Sequence, residues 1–125
     1  MKKLLLILLI SLSYIASAGQ LDANIQKLKA SNSCEGCNLQ GANLRGQYLN
    51  GANLSGADLL GAILSRVFLS NADLSGANLI RADITRANLR EANFSEANLS
   101  QAELMKTSLT GANLQKANLM GADLT

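Results

Sequence analysis

The sequence has no histidine, no proline and no tryptophan, and aromatic residues make up only 3% of its 125 residues. Without histidine the chain lacks the commonest general base near neutral pH and a frequent metal ligand. Although 48% of the residues are hydrophobic, the core has to be built from aliphatic side chains of nearly uniform size. These absences disfavour an enzyme, and we expect no catalytic residue, no metal site and no cofactor.

The first 18 residues, MKKLLLILLISLSYIASA, have the organisation of a secretory signal peptide. Two lysines precede an apolar run, and the small-residue motif ASA predicts cleavage after Ala18. The alternative is a retained membrane anchor, but the uninterrupted run from Leu4 to Ile10 is short for a span of about 20 residues. We therefore expect a secreted or periplasmic protein of the bacterial envelope, without stable membrane insertion after signal cleavage.

The charges of the mature chain are balanced. The sequence contains 11 Lys/Arg and 9 Asp/Glu, and removal of Lys2 and Lys3 with the signal leaves nine of each sign. A generic nucleic-acid binder would be basic, and a protein that imitates DNA would be acidic. The balance favours neither, so no nucleic acid is expected as a partner.

Leucine recurs at every fifth position, as in residues 51–64, GANLSGADLLGAIL. Five residues match neither the helical period of 3.6 nor the strand period of two. Eighteen centres follow one another in steps of five from Leu39 to Leu124, all leucine except Ile84 and Phe94. Alanine lies two residues before fourteen of them, and Asn or Asp usually lies one residue before. A chain that turns a corner in each repeat keeps the centre and the alanine inside and the Asn or Asp outside, which predicts a solenoid.

Glycine marks the predicted corners. Nine of the ten glycines lie two residues after a centre, or after Cys34 in the same frame. Such a position suits a backbone with φ > 0, as in the third residue of a type II turn. Where Arg, Lys, Glu, Gln or Asn replaces glycine, we expect a different turn geometry.

The repeated string A(N/D)LxG over residues 37–125 resembles the pentapeptide-repeat family. The resemblance implies an all-β fold, a right-handed quadrilateral β-helix with four five-residue faces per coil and about 4.5 coils. The irregular inward residues give independent support for four faces. Gln47, Val67 and Thr107 are separated by 20 and 40 residues, which places them on one face of a 20-residue coil.

The ends of the solenoid differ from its middle. Residues 19–33, GQLDANIQKLKASNS, predict a short capping helix and linker with Leu21, Ile25 and Leu28 on one side. This helix would cover the first coil of the solenoid at residues 34–125. The last coil would expose its core and unpaired backbone, so an end-to-end homodimer through the C-terminal coil is a candidate assembly.

Cys34 and Cys37 form a C-x-x-C motif at the start of the repeats. A thiol oxidoreductase would place this motif at a helix start in a βαβ unit, and a zinc site would need further ligands. In the repeat frame Cys34 is a centre and Cys37 a small inward residue, so a structural role in the first coil is favoured. A disulfide between them is a candidate, because a turn brings its ends close enough for one.

Two groups of outward residues are candidates for binding. Large apolar side chains at usually polar positions form a candidate partner surface: Tyr48, Leu60, Ile63, Phe68, Ile80 and Met120. Corner cations form a candidate basic column for an anionic partner: Arg66, Arg86 and Lys106. The alternative for the column is a solvated edge that Asp83, Glu91 and Glu103 neutralise.

Three functional hypotheses follow. The favoured one is a non-catalytic secreted solenoid that acts as a structural or protein-interaction module, with an unknown protein partner. The second is a DNA mimic that interacts with a topoisomerase, as the family resemblance allows, although the neutral charge and the export signal oppose it. The third is a thiol-redox protein that uses the C-x-x-C motif.

Overall fold

The computed structural model describes residues 2–125 as one helix followed by a solenoid. Helix α1 spans Lys2–Ser31. From there the chain winds in coils joined by isolated parallel β-bridges, from Ser33 paired with Asn53 to Glu103 paired with Asp123. Every bridge joins residues 20 apart, so the predicted coil length is confirmed. Within residues 2–125 no strand is longer than a single bridged residue.

Each coil has four faces, because the chain makes a hydrogen-bonded turn every five residues. We name the faces by their centres. Face A holds Leu39, Leu59, Leu79, Leu99 and Leu119, and face B holds Leu44, Leu64, Ile84, Leu104 and Leu124. Face C holds Leu49, Leu69, Leu89 and Leu109, and face D holds Cys34, Leu54, Leu74, Phe94 and Leu114. A corner is named by the two faces that it joins.

The interior contains the centres and the small residues two positions before them, as predicted. Leu74 is 0% exposed and Ala77 is 1% exposed. Val67 is also buried, whereas Gln47 and Thr107 are half-buried on the same face. Burial of one leucine contributes about 1.5–3 kcal/mol, so stability accumulates from coil to coil.

All corners share one backbone geometry, and the prediction of a second geometry at non-glycine corners is wrong. The carbonyl of Leu74 accepts the N–H of Ala77 at 3.1 Å, and Gly76 between them has φ +64°. Non-glycine corner residues have φ between +57° and +60°: Arg66, Asn71, Arg81, Arg86, Glu91, Glu96, Gln101, Lys106 and Lys116. Inter-coil hydrogen bonds impose this conformation, since Gly76 and Glu96 both donate their N–H to the next coil.

We expect Gly76→Ala to lower the free energy of unfolding by about 1 kcal/mol. A Cβ at Gly76 would meet nothing within 4 Å, so the cost is that of a left-handed backbone carrying a side chain. Glu96→Ala at the same corner one coil later is the control. Its φ of +60° is already adopted by a side-chain-bearing residue, and its stability should change by less than about 0.5 kcal/mol. Urea denaturation of both variants measures the difference.

The Asn and Asp residues before the centres point outward and bind the backbone two residues ahead, as expected. Oδ1 of Asn53 accepts the N–H of Ser55 at 3.1 Å. In the last repeat the N–H and hydroxyl of Thr125 hold the pKa of Asp123 below its usual value. Side chains also join coils, and Nδ2 of Asn78 donates to Asp58 at 3.0 Å. These bonds satisfy polar groups at the outer surface of the corners.

Helix α1 is longer than the predicted element, because it continues without a break through residues 2–18. Apolar straight-chain residues and the absence of proline favour a helix through this segment. Only the second half contacts the solenoid: Leu28 is buried, and Leu21 and Ile25 pack against the core. The helix ends at Ser31, and Asn32 follows in a left-handed conformation with φ +56°.

Two asparagine side chains attach α1 to the solenoid. Nδ2 of Asn24 donates to the carbonyl of Asn38 at 2.8 Å, and Nδ2 of Asn32 donates to the carbonyl of Asn50 at 2.9 Å. The backbone carbonyl of Asn32 also accepts the N–H of Asn53. The helix therefore covers the interior of the first coil at its N-terminal end.

Candidate functional site

The two cysteines lie in the first coil with their sulfur atoms at bonding distance. Their Cα atoms are 5.3 Å apart, within the range that a disulfide accepts. Cys34 is 0% exposed and Cys37 is half-buried. The arrangement closes the corner below α1, and no external thiol reaches Cys34 without displacement of the helix or the coil.

We expect intact mass spectrometry to find the untreated protein lighter than the reduced protein by the mass of two hydrogen atoms. Reduction should also lower the stability by roughly 2 kcal/mol, the loop-closure value for so short a loop. Equal masses before and after treatment with reductant would contradict a bridge between Cys34 and Cys37.

Three of the six candidate partner-surface residues meet at one corner. Leu60 and Ile80 occupy the same position in successive coils and are half-buried at the A/B corner. Ile63 follows on face B and is 38% exposed. We call Leu60, Ile63 and Ile80 the A/B corner patch. It interrupts a surface that is otherwise polar at these positions.

Two other candidates form a separate feature on face C. The rings of Tyr48 and Phe68 stack with centroids 4.6 Å apart and planes at 12°. Tyr48 is 78% exposed, and Phe68 is half-buried beneath it. Parallel bridges place the two residues in successive coils. The sequence placed both on the third face, and the structure adds that their rings are in contact.

The last candidate, Met120, lies apart from the other five. It shares the column of Leu60 and Ile80, but Ser100 separates it from Ile80. Met120 is 73% exposed. The structure therefore divides the predicted partner surface into the A/B corner patch, the ring pair on face C and one isolated methionine.

The three residues of the basic column occupy successive B/C corners. Arg66, Arg86 and Lys106 are all exposed, with φ of +58° to +59°. Of the carboxylates expected to neutralise them, Asp83 accepts the N–H and the hydroxyl of Thr85 through Oδ1. That carboxylate is thus engaged within its own repeat.

A groove of about 400 Å³ lies between α1 and the first coil. Its lining holds only groups that are neutral at pH 7: Tyr14, Ser17, Ala18, Gln20, Leu21, Asn38 and Gln40. Among residues 2–125, no three His, Cys, Asp or Glu side chains form a cluster that could hold a metal ion. Outward-facing surfaces, rather than a cavity, are the candidate sites.

The last coil exposes part of its interior. Leu109, Leu114 and Leu119 are half-buried, and Leu124 is 54% exposed. Pairing of two copies through this coil stays a prediction. Sedimentation velocity at high protein concentration tests it, and a single monomer boundary would count against it.

The chain belongs to the pentapeptide repeat family. The sequence model of that family, Pentapeptide repeats, matches eight copies over residues 33–66, 54–91 and 87–125. These ranges cover the whole solenoid, and the resemblance seen in the repeat string is confirmed. No curated protein matches the chain significantly.

Solved structures of the family share the fold. A pentapeptide repeat protein from the thylakoid lumen of Arabidopsis thaliana is 38% identical, with a TM-score of 0.67, over 68% of this chain and 59% of its own. HetL from the cyanobacterium Nostoc, involved in regulation of heterocyst differentiation, is 35% identical, with a TM-score of 0.60, over 73% of this chain and 50% of its own. This chain thus spans about half to three fifths of the length of these relatives, and the comparison supports the solenoid fold.

Proposed function

We propose that the protein is an exported, non-catalytic solenoid, wound as a right-handed quadrilateral β-helix, that binds a protein partner through the A/B corner patch. The observation that carries the proposal is the cluster of Leu60, Ile63 and Ile80 on an otherwise polar rod. Grouped outward apolar side chains are more indicative of a contact surface than scattered ones. Repeat solenoids are rigid, so such a patch is presented without further ordering of the backbone.

Export is supported by the two halves of α1. In the first half, Leu4 to Ile15 include eight large apolar side chains that are 53–69% exposed, and the helix is long and apolar enough to cross a membrane. In the second half, Leu21, Ile25 and Leu28 pack against the core. Cleavage after Ala18 would remove the exposed apolar half and keep the half that covers the first coil.

N-terminal sequencing of the protein recovered from the envelope tests export. We expect the chain to begin at Gly19 and to appear in the periplasmic or extracellular fraction. A retained Met1 in the membrane fraction would favour the anchor instead, and a retained Met1 in the cytosol would overturn the proposal of export.

Affinity capture with matched variants tests the partner surface. We expect the protein captured by the wild-type chain to be lost with the double variant Leu60→Ser and Ile80→Ser. It should be retained with Met120→Ser, which makes the same kind of change in the same column but outside the patch. Binding should then be repeated with the purified partner. Capture that survives the double variant would remove the A/B corner patch from the interface.

The two alternative functions have less support. A thiol oxidoreductase needs an accessible sulfur, whereas Cys34 is fully buried. A DNA mimic needs an acidic surface, whereas exposed cations line the B/C corner. An insulin-reduction assay tests the first alternative directly.

A further inference from the structure

Cations are distributed unevenly around the solenoid. Residues 34–125 contain seven Lys/Arg side chains, and five of them lie at the two corners that flank face C: Arg45, Arg66, Arg86, Arg90 and Lys106. Glu91 is the one carboxylate on these corners. Face C with its corners has a side-chain charge of +4, whereas the rest of the solenoid, with two cations and seven carboxylates, has −5. The overall balance of the chain hides this division.

The aromatic surface lies on the same face. Tyr48, Phe68, Asn88 and Ser108 form the outward column of face C, joined by parallel bridges. Tyr48 and Phe68 supply the stacked rings. Below them Asn88 has its Oδ1 engaged by the N–H of Arg90 at 3.3 Å, which leaves its NH₂ group directed to other acceptors. Face C thus combines cations, aromatic rings and neutral hydrogen-bonding groups.

We propose that face C binds a linear acidic polysaccharide, a chain of sugar rings that carry carboxylates. The cations at the B/C corner recognise the carboxylates, the rings of Tyr48 and Phe68 pack against the apolar faces of the sugars, and Asn88 and Ser108 bind their hydroxyls. The proposal concerns a different surface from the A/B corner patch and does not depend on a protein partner.

The spacing of the cations favours a glycan over an acidic peptide. Arg66, Arg86 and Lys106 succeed one another once per coil, about 4.8 Å apart along the rod. An extended peptide places side chains of one side about 6.6–6.8 Å apart, which is two residue rises. Its carboxylates would fall out of register with the column within two coils. A sugar-acid chain carries one carboxylate on every ring, and the length of a ring is comparable with the coil spacing.

The arrangement also differs from that expected for a lipid surface. A membrane attracts cations spread over a plane, whereas the cations at the B/C corner lie in one line. On the other side of this line, face B carries Asp83 and Glu103. Carboxylates there would meet the headgroups of a broad anionic surface, but a narrow ligand on face C avoids them.

Binding of polygalacturonate to the purified full chain tests the proposal by calorimetry. We expect binding that weakens as salt is raised and that is lost with fully methyl-esterified polygalacturonate, the same chain without its charges. The variant Arg66→Glu with Arg86→Glu should bind about tenfold more weakly or worse. Tyr48→Ala should also weaken binding.

The control variant is Arg81→Glu with Lys116→Glu, which changes the two cations outside face C. It makes the same change in net charge at corners of the same left-handed geometry, and its affinity should stay within about twofold of the wild type. Circular dichroism melting shows whether both variants fold. Equal loss in both double variants would overturn the proposal, as would binding of polyglutamate or of phosphatidylglycerol vesicles in preference to polygalacturonate.

Discussion

Leu74→Ala is expected to lower the free energy of unfolding by about 2–5 kcal/mol, the range for truncation of a fully buried leucine. Leu74 is 0% exposed on face D, with coils stacked on both sides. Removal of its side chain leaves a cavity that the inter-coil hydrogen bonds prevent from collapsing. Urea denaturation measures the loss.

The matched control for this variant is Leu124→Ala. Leu124 is also a repeat centre, but it is 54% exposed in the last coil. The same truncation should cost less than about 1 kcal/mol there, because little apolar surface returns to water. Similar losses at both positions would mean that the ladder of centres is not the main source of stability.

The second large effect is expected from Ala77→Leu. Ala77 is 1% exposed between Ala57 and Ala97, its neighbours in the same column. Coils about 4.8 Å apart leave no space for a second large side chain in one layer. Overpacking typically costs about 1–3 kcal/mol, and here the strain reaches the coils on both sides, so we expect the melting temperature to fall by several degrees.

Ala117→Leu separates overpacking from a general effect of leucine. Ala117 lies in the same column as Ala77 but is half-buried in the last coil. A leucine there can turn toward the open end of the solenoid, so the melting temperature should change little. An unchanged melting temperature for Ala77→Leu itself would refute its inward position.

The sequence predicts the coil of this protein better than its corners. Period, register and interior could be read directly, because each repeat states the same inward and outward pattern and the exceptions at Gln47, Val67 and Thr107 recur at 20-residue intervals. The left-handed backbone at Arg66 or Glu96 could not be read. It is imposed by hydrogen bonds to a coil about 20 residues away, and local residue preference opposes it.

The candidate surfaces show the same limit. Columns could be assigned from the repeat frame, and Leu60 with Ile80 and Tyr48 with Phe68 are indeed neighbours. The stacking of the rings required coordinates, because it depends on side-chain torsions. The attachment of α1 through Asn24 and Asn32 was also missed. Neither residue belongs to the repeat, and no local pattern marks an amide that reaches a distant carbonyl.

The uniform corner has a consequence for how such a protein can change. Glycine, arginine, glutamate and lysine all occupy it with the same backbone, and at Gly56 or Gly76 an added Cβ would meet only open space. Recognition and folding are therefore written in different letters of the same pentad. Mutation can redraw the outer pattern one coil at a time, as on a pegboard, while the framework beneath it stays the same.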